Sequence, residues 1–278
     1  MVTPAQIRLT ADVQSKQGAI WNRMPVQARD WELMLTFKVT GATGDLFGDG
    51  MALWYTAERM ALGPVFGSKD YFRGLGIFLD TYSNHNGPHT HGHPYISAMV
   101  SNGSGHYDHD RDGTHTQLGG EHVGCEAKFR NKKHDTHMLV RFVGDSLSVY
   151  TDVLGERKWK KCFSVDQVVL PTGYFFGVSA ATGDLSDAHD VIAVKAFEQE
   201  HVRVQTKEEE AQDWSKVEPS ASFFAAPRDH VDAPPPSRLG WLGTGLLLVV
   251  AVVVVGAVLL FGFVFLQKRS ENQRKRFY

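Results

Sequence analysis

Short apolar segments separated by turn residues exclude most fold classes for residues 31–197. In the segment 31–39, the apolar residues Trp31, Leu33, Leu35, Phe37 and Val39 fall at every second position, which is typical of a half-buried strand. Gly, Asp and Asn turns separate further predicted strands at 51–55, 74–82, 95–101, 136–143, 146–153, 161–165, 173–180 and 190–197. Because no segment between them has a helical stripe, the pattern predicts an all-β, antiparallel β-sandwich rather than an α/β fold.

The C-terminal part predicts a membrane anchor. Residues 241–266 contain no charge, and 26 residues are enough for a helix to cross ~30 Å of hydrocarbon. The basic residues of the tail 267–278 outnumber its one acid, so the tail is predicted to be cytoplasmic and the large domain to lie across the membrane, as in a single-pass type I protein. The predicted organisation is a folded domain over 1–200, a proline-containing stalk over 201–240, the helix and the tail.

Charge and chain ends narrow the possible partners. The chain has a net charge of −2 and the tail carries +4, so the remainder carries −6, which argues against a nucleic-acid partner. The chain begins Met-Val-Thr-Pro, without the basic and apolar regions of a signal peptide. Two explanations are open: a tail anchor that leaves the domain in the cytosol, or a fragment or shortened isoform that lacks the true N-terminus. We expect the second.

The two cysteines, Cys125 and Cys162, are expected to form a disulfide if the domain is lumenal; a reduced buried pair is the alternative. The sequence Asn102-Gly103-Ser104 is an N-glycosylation sequon, which has meaning only on the lumenal side.

Two acidic segments predict a calcium site. The first is an apolar strand that ends at Asp80, and the second, 107–113, carries Asp108, Asp110 and Asp112 at alternate positions. Like charges this close favour a bound cation, and calcium prefers oxygen ligands such as carboxylates, amides and backbone carbonyls. The alternatives are an acidic solvated turn without metal, and an EF-hand, whose twelfth position should be Glu but is Gly119 here.

Four histidines in one loop raise the question of zinc. They lie in a Gly/Pro-containing segment without acids or cysteines at ligand spacing, so we expect a solvated loop rather than a zinc site. The residues are His85, His89, His91 and His93.

Several motifs together resemble the animal L-type (legume-like) lectins of the early secretory pathway. They are Gly48-Asp49-Gly50, the segments 78–84 and 107–112, and 182–187, and the resemblance runs from about residue 7 to 197 and resumes at the C-terminus. It implies a concanavalin-like antiparallel β-sandwich (jelly roll) that binds high-mannose N-glycans with Ca2+.

The resemblance also implies roles for individual residues. The calcium ligands would be Asp80, the Tyr82 carbonyl, Asn84 and Asp112. The mannose contacts would be Ser15, Asp49, Asn84, His109, Gly183, Asp184 and Leu185. Binding is expected to weaken on acidification, when the carboxylates and His109 take up protons.

The tail residues Lys275, Arg276, Phe277 and Tyr278 resemble the coat-binding ends of the family. The alternative is a basic cluster that binds anionic lipid. The segment 121–124 resembles an insertion before Cys125 and is expected to affect the disulfide or the site.

The leading hypothesis is a non-enzymatic lectin that sorts or checks glycoprotein cargo between the endoplasmic reticulum and the Golgi, with its tail bound by coat complexes. One alternative is a glycoside hydrolase on the same fold, although the acids here are grouped with metal-type oxygen ligands rather than placed on both sides of a scissile bond. Another is a membrane adaptor with an inactive sugar site.

Overall fold

The structure, a computed structural model of the 278-residue chain, describes residues 1–44, 46–84, 91–200, 212–221 and 252–269. It divides into two units, Met1–Ala226 and Pro227–Tyr278. In the second unit the described residues form one helix, Val252–Arg269, which is long and apolar enough to cross a bilayer. It overlaps the predicted membrane helix. Residues 241–251 and the predicted trafficking residues Lys275, Arg276, Phe277 and Tyr278 lie outside the described residues.

The first unit is a sandwich of two six-stranded sheets. One sheet has the order β1-β13-β3-β8-β9-β10, the other has the order β2-β12-β4-β5-β6-β7, and β11 pairs with β14 apart from both. All pairings between these strands are antiparallel, so the predicted all-β antiparallel sandwich is confirmed. The strands are β1 Ile7–Thr10, β2 Gln17–Trp21, β3 Trp31–Thr40, β4 Gly50–Thr56, β5 Arg73–Asp80, β6 Tyr95–Asn102, β7 Cys125–Glu126, β8 Thr136–Val143, β9 Ser146–Asp152, β10 Lys160–Val165, β11 Val168–Val169, β12 Phe175–Ala181, β13 Ala188–Glu198 and β14 Ser220–Ala221.

The main core lies between the sheets. Alternate residues of β3, from Trp31 to Val39, face alternate residues of β4 such as Met51, Leu53 and Tyr55, and all are buried. The period-two pattern read from the sequence is therefore the inward face of each strand. Each large apolar side chain buried there contributes ~1.5–3 kcal/mol relative to an exposed one.

A second apolar layer covers the outer face of the sheet that contains β4 and β5. Trp54 and Phe78 point away from the main core and pack against Phe66, Phe72 and Tyr107, which come from the connecting loops. This is why β4 is buried on both faces and why its sequence shows a continuous apolar run. The layer fixes the loop that follows β6 over the sheet, and that loop carries His109 and Asp112.

Two strands near the N-terminus were not predicted. β1 and β2 are edge strands, one in each sheet, and their side chains are largely half-buried or exposed, so they have no strong apolar alternation. Within the segment 201–240, β14 pairs with β11, and the Thr172 amide donates to the Trp214 carbonyl at 3.1 Å. The described part of the predicted stalk therefore contacts the sandwich.

A disulfide joins the edges of the two sheets, because Cys125 lies in β7 and Cys162 in β10. The segment 121–124 forms a turn just before Cys125, in which the Gln117 side-chain amide donates to the Val123 carbonyl at 2.6 Å. The disulfide between Cys125 and Cys162 is therefore formed with the 121–124 turn in place.

Replacing both cysteines with serine is expected to lower the free energy of unfolding by about 2–4 kcal/mol, because the cross-link closes a long loop and so restricts the unfolded chain. Denaturant unfolding of the protein in detergent, with and without reductant, measures this. The double variant should be insensitive to reductant, and equal stability of the variant and the oxidised protein would contradict the prediction.

Candidate metal and carbohydrate site

The strand register brings most of the predicted site residues to one end of one sheet. Gln17 pairs with Ala181, Ala181 with Gly50, Gly50 with Asp80, and Asp80 with Tyr95. The loops that leave these five positions therefore emerge side by side. They contain every predicted metal and sugar residue except His109 and Asp112, which come from the loop that covers the sheet face.

Asp80 and Asp112 are brought together although they are distant in sequence. Asp80 ends β5, and its Oδ1 accepts from the Tyr82 amide at 3.0 Å. Asp112 follows a 3-10 turn, His109–Arg111, and its Oδ1 accepts from the Asn84 amide at 2.9 Å. The two carboxylates thus hold the 81–84 loop by its backbone. The second oxygen of each carboxylate, Oδ2, lies on the side of His93.

Those second oxygens face His93, which the sequence analysis placed in a solvated loop. Its Nε2 lies 4.0 Å from Asp80 Oδ2 and 3.7 Å from Asp112 Oδ2, and its side chain is only 6% exposed. Asp80, His93 and Asp112 form a group of ligand atoms that can hold a metal ion. The His93 side chain is therefore buried rather than solvated. It lies two positions before β6, whose first residue, Tyr95, pairs with Asp80. His85 and His89 lie outside the described residues.

The other acids of the 107–113 segment do not join this group. Asp108 Oδ1 accepts from the Asp110 amide at 3.0 Å and so caps the 3-10 turn, while Asp110 is exposed. The residues before the segment are strand β6 and those after it form a second 3-10 turn, Thr114–Thr116, so the helices that flank an EF-hand loop are not found here.

The electrostatics of the pair favour a cation. Burial raises the pKa of Asp80 well above its usual value, and the nearby Asp112 raises it further, since two close carboxylates resist ionising together. The Tyr107 hydroxyl is also buried and has no hydrogen-bond partner among the described residues, and both aspartates raise the pKa of Tyr107 after burial itself. A buried pair of acids beside a buried hydroxyl is an environment that an ion with oxygen ligands fits.

Asp49 lies beside the predicted sugar loop 183–185. A Cβ at residue 183 would approach Asp49 Oδ2 to 2.9 Å, so a side chain there would displace the Asp49 carboxylate. Gly48 lies against the Cβ atoms of both Tyr82 and Leu185. Burial, followed by the charge of Asp184, raises the pKa of Asp49 to about 6. The 48–49, 82–84 and 183–185 loops therefore share one surface.

Ser15 belongs to the same surface. Its amide donates to the Gly183 carbonyl at 3.1 Å, and the Gln14 side-chain amide donates to the Asp184 carbonyl at 2.6 Å. The residue has a left-handed backbone (φ 55°) and is exposed, as a ligand-binding hydroxyl must be.

His109 contributes a neutral ring. Its Nε2 is 3.0 Å from the Pro64 carbonyl oxygen, which can only accept, so we assign the proton to Nε2 and leave Nδ1 as an acceptor. Burial, against Phe66 and Tyr107 among others, lowers the pKa of His109. Protonation of this ring therefore occurs at lower pH than protonation of an ordinary histidine.

Arg130 connects the loops around the sugar side, and no sequence pattern singled it out. Its guanidinium donates to both carboxylate oxygens of Asp187, at 2.9 and 2.8 Å, and to the Ala42 carbonyl at 2.7 Å. It also lies 4.0 Å from the centre of the Phe47 ring. The Asp187 side chain is fully buried, so Arg130 fixes the end of the 183–187 loop against Ala42 and Phe47.

Comparison with known proteins gives consistent matches over the whole chain. The sequence profile of the Legume-like lectin family matches residues 1–206. Human vesicular integral-membrane protein VIP36 is 48% identical over 286 residues, covering 100% of this chain and 77% of that protein. The mouse VIP36-like protein is 46% identical over 279 residues, covering 100% and 78%. A crystal structure of the VIP36 exoplasmic/lumenal domain, in its Ca2+/Man3GlcNAc-bound form, matches with a TM-score of 0.75 at 50% identity, covering 80% of this chain and 91% of that one.

Proposed function

This chain belongs to the legume-like lectin family, and from that membership we propose that it is a calcium-dependent lectin that binds high-mannose N-glycans of glycoproteins in the early secretory pathway. The resemblance drawn from the sequence motifs is thereby confirmed. The observation that carries the proposal is the meeting of the Asp80–Asp112 pair with the Asp49–Gly183 surface at one end of one sheet. A similar domain with calcium and a mannose-containing glycan bound supports it.

We assign calcium to Asp80, Asp112, the Tyr82 carbonyl and the Asn84 amide, which supply the oxygen atoms that it prefers. When bound, calcium neutralises the two carboxylates and fixes the Asn84 side chain. The backbone hydrogen bonds of Tyr82 and Asn84 to these carboxylates already hold the loop in place.

The sugar contacts come from the neighbouring loops. An ionised Asp49 can accept from two hydroxyls of one mannose, and the backbone of the 183–185 turn can donate to others. The rim of the site is completed by further hydrogen-bond donors and acceptors, which are Ser15, Asn84 and the Nδ1 of His109. Such a surface orients hydroxyls, which is the task of a binding site.

The arrangement supports a binding protein without enzymatic activity. Glycoside hydrolysis requires two carboxyl groups on opposite sides of the scissile bond, one of them a general acid. The Asp80 and Asp112 carboxylates here face each other and His93, and both hold backbone amides of the 81–84 loop. We assign them to metal binding rather than to proton transfer.

Isothermal titration of the full chain in detergent with a high-mannose glycan tests the function. Heat of binding is expected in millimolar Ca2+ and not in chelator, a galactose-terminated glycan should give no heat, and the glycan should be recovered intact. Binding that survives chelation would contradict the calcium assignment, and cleaved glycan would favour the hydrolase. Absence of binding in calcium would favour the adaptor.

Glycan affinity in saturating calcium is expected to fall as the pH falls through about 6. Only the ionised carboxylate of Asp49 accepts hydrogen bonds on both oxygens, and its raised pKa places the loss of charge in this range. Calcium nearby favours the ionised form, so the midpoint should lie at or below this value. Below it, affinity should drop about tenfold per pH unit if the Asp49 charge is required.

The variant Asp49→Asn separates the titration of Asp49 from that of other groups in the site. It should bind weakly at all pH values and show a flat profile between pH 5 and 7, because the titrating group is gone. Titration calorimetry over this range is the measurement. A variant profile as steep as that of the original protein would assign the pH dependence to another residue.

We also propose the type I orientation, with 1–200 as the lectin domain, 201–240 as the stalk, 241–266 as the membrane helix and 267–278 as a cytoplasmic tail bound by coat complexes. Asn102 is exposed at the end of β6, where an oligosaccharyltransferase can reach it. Loss of a glycosidase-sensitive mass shift in Asn102→Gln would support a lumenal domain.

Replacing Phe277 and Tyr278 with alanine should slow exit from the endoplasmic reticulum. Unchanged transport would favour simple lipid contact by the basic tail.

A further inference from the structure

We propose that His93 makes the Asp80–Asp112 pair a mixed nitrogen and oxygen site, which also binds a first-row transition-metal dication such as Zn2+ in competition with calcium. His93 Nε2 would be a direct ligand of that ion. The inference rests on the proposed metal site and adds to it both a ligand and a second class of metal.

The geometry supports one ion shared by the three side chains. A nitrogen and an oxygen that both bind one tetrahedral Zn2+ at ~2.1 Å lie about 3.4 Å apart. The separations here are 3.7 Å from His93 Nε2 to Asp112 Oδ2 and 4.0 Å to Asp80 Oδ2. The three ligand atoms all lie within 4.8 Å of one another, so small side-chain rotations would let them bind one ion.

The chemistry of the donor set distinguishes the two metals. Calcium is a hard ion and binds oxygen, whereas imidazole nitrogen suits zinc and its neighbours in the first transition row. An all-oxygen set from Asp80, Asp112, Tyr82 and Asn84 suits calcium. The set of Asp80, Asp112 and His93 suits zinc, so the same two carboxylates serve either ion.

His93 is held in position by its neighbours. The Ala127 amide donates to the Pro94 carbonyl at 2.9 Å, and the Gly92 amide donates to Glu126 Oε1 at 2.6 Å, so β7 holds the backbone on both sides of His93. The His91 ring stacks on Tyr95 with ring centres 3.9 Å apart. A ligand fixed in advance loses little conformational freedom when the metal binds.

An independent feature points to the same place. Tyr107 is 2% exposed, and its buried hydroxyl lacks a hydrogen-bond partner within the described ranges. After burial, the charges of Asp80 and Asp112 raise the pKa of Tyr107. A metal-bound water or a metal-bound carboxylate would supply the hydrogen-bond partner that this buried hydroxyl lacks.

Zinc titration of the full chain in detergent, at pH 7 with calcium removed, tests the inference. The variant His93→Phe keeps a planar ring in the buried position but offers no nitrogen, and His93→Gln is a second variant if packing suffers. The Zn2+ of interest is the fraction that added Ca2+ displaces afterwards. We expect His93→Phe to weaken the binding of this Zn2+ at least tenfold and to change the Ca2+ affinity less than threefold. The visible spectrum of bound Co2+ should change as well.

Two controls separate the outcomes. The variant His91→Phe alters a neighbouring histidine outside the three-residue group and should leave both affinities unchanged. The variant Asp112→Asn should weaken both metals. If Zn2+ affinity and the Co2+ spectrum are unchanged in His93→Phe but reduced in Asp112→Asn, His93 is a packing residue and the inference is wrong, while the calcium site stands. If Asp112→Asn changes neither metal, both proposals are overturned.

Discussion

Replacing Asp112 with asparagine is expected to abolish calcium binding and to weaken high-mannose glycan binding at least 100-fold. The side chain is 2% exposed and faces Asp80, and an amide is a much poorer calcium ligand than a carboxylate. The asparagine oxygen can still accept from the Asn84 amide, so the loop keeps its shape and only the charge is lost. Titration of calcium and of glycan, each alone, measures the two effects.

The same variant is expected to be more stable than the original protein when metal is absent. The pKa of Asp80 is raised in the folded state, so the folded protein binds its proton more tightly than the unfolded chain does. The metal-free protein therefore loses stability as the pH rises above the unfolded value of about 3.9, and regains it on acidification. Removing the Asp112 charge relieves part of this cost at neutral pH.

Thermal unfolding with chelator and with calcium checks this reversal. Calcium at 100 times its dissociation constant should stabilise the original protein by ~2.7 kcal/mol, or roughly 5–10 °C, and should leave the variant unchanged. Asp110→Asn is the matched control, because that exposed carboxylate lies in the same 3-10 turn. A control that behaved like Asp112→Asn would show that the general acidity of the segment, not a defined site, attracts calcium.

Replacing Arg130 with methionine is expected to cost about 3–5 kcal/mol of stability and to weaken glycan binding while calcium still binds. Asp187 is fully buried, and removal of its partner leaves an uncompensated buried charge. Burial already raises the pKa of Asp187, and the bonds to Arg130 oppose that effect. Without the guanidinium, the 183–187 loop loses its attachment to Ala42 and Phe47, whereas the Asp80–Asp112 pair is untouched.

Two further variants show whether the cost comes from the buried charge. Arg130→Met combined with Asp187→Asn should recover part of the lost stability, because the unpaired charge is removed. Arg141→Met removes a surface arginine that is 49% exposed and pairs with Glu32, so it should cost less than ~1 kcal/mol. Chemical denaturation compares all of these, and equal losses in Arg130→Met and Arg141→Met would contradict a special role for Arg130.

The sandwich was predictable because its core strands follow a simple periodicity. Trp31 to Val39 alternate, and each inward residue is found in the core between the sheets. β1 and β2 were not predicted because edge strands bury little and need no alternation. The second apolar layer was also missed, since the continuous run of β4 does not indicate what covers its outer face.

The candidate site was predictable only where residue chemistry is unusual. The strand that ends at Asp80 and the like charges of Asp108, Asp110 and Asp112 indicated a cation before any geometry was known, and the structure places Asp80 and Asp112 in one group of potential ligands. His93 was assigned to a solvated loop because its spacing to other ligands in sequence was uninformative; the signal was its position just before a strand that pairs with Asp80. Arg130 gave no signal, because a buried ion pair across three loops depends on tertiary structure alone.

The link between Cys125 and Cys162 has a practical consequence for preparing this protein. It ties β7 to β10, and Glu126 of β7 together with the following Ala127 holds the backbone on both sides of His93. Material produced in a reducing bacterial cytoplasm would keep every ligand but lack the covalent support behind one of them. Samples for metal analysis should therefore come from an oxidising expression host, with free thiols quantified before any affinity is compared.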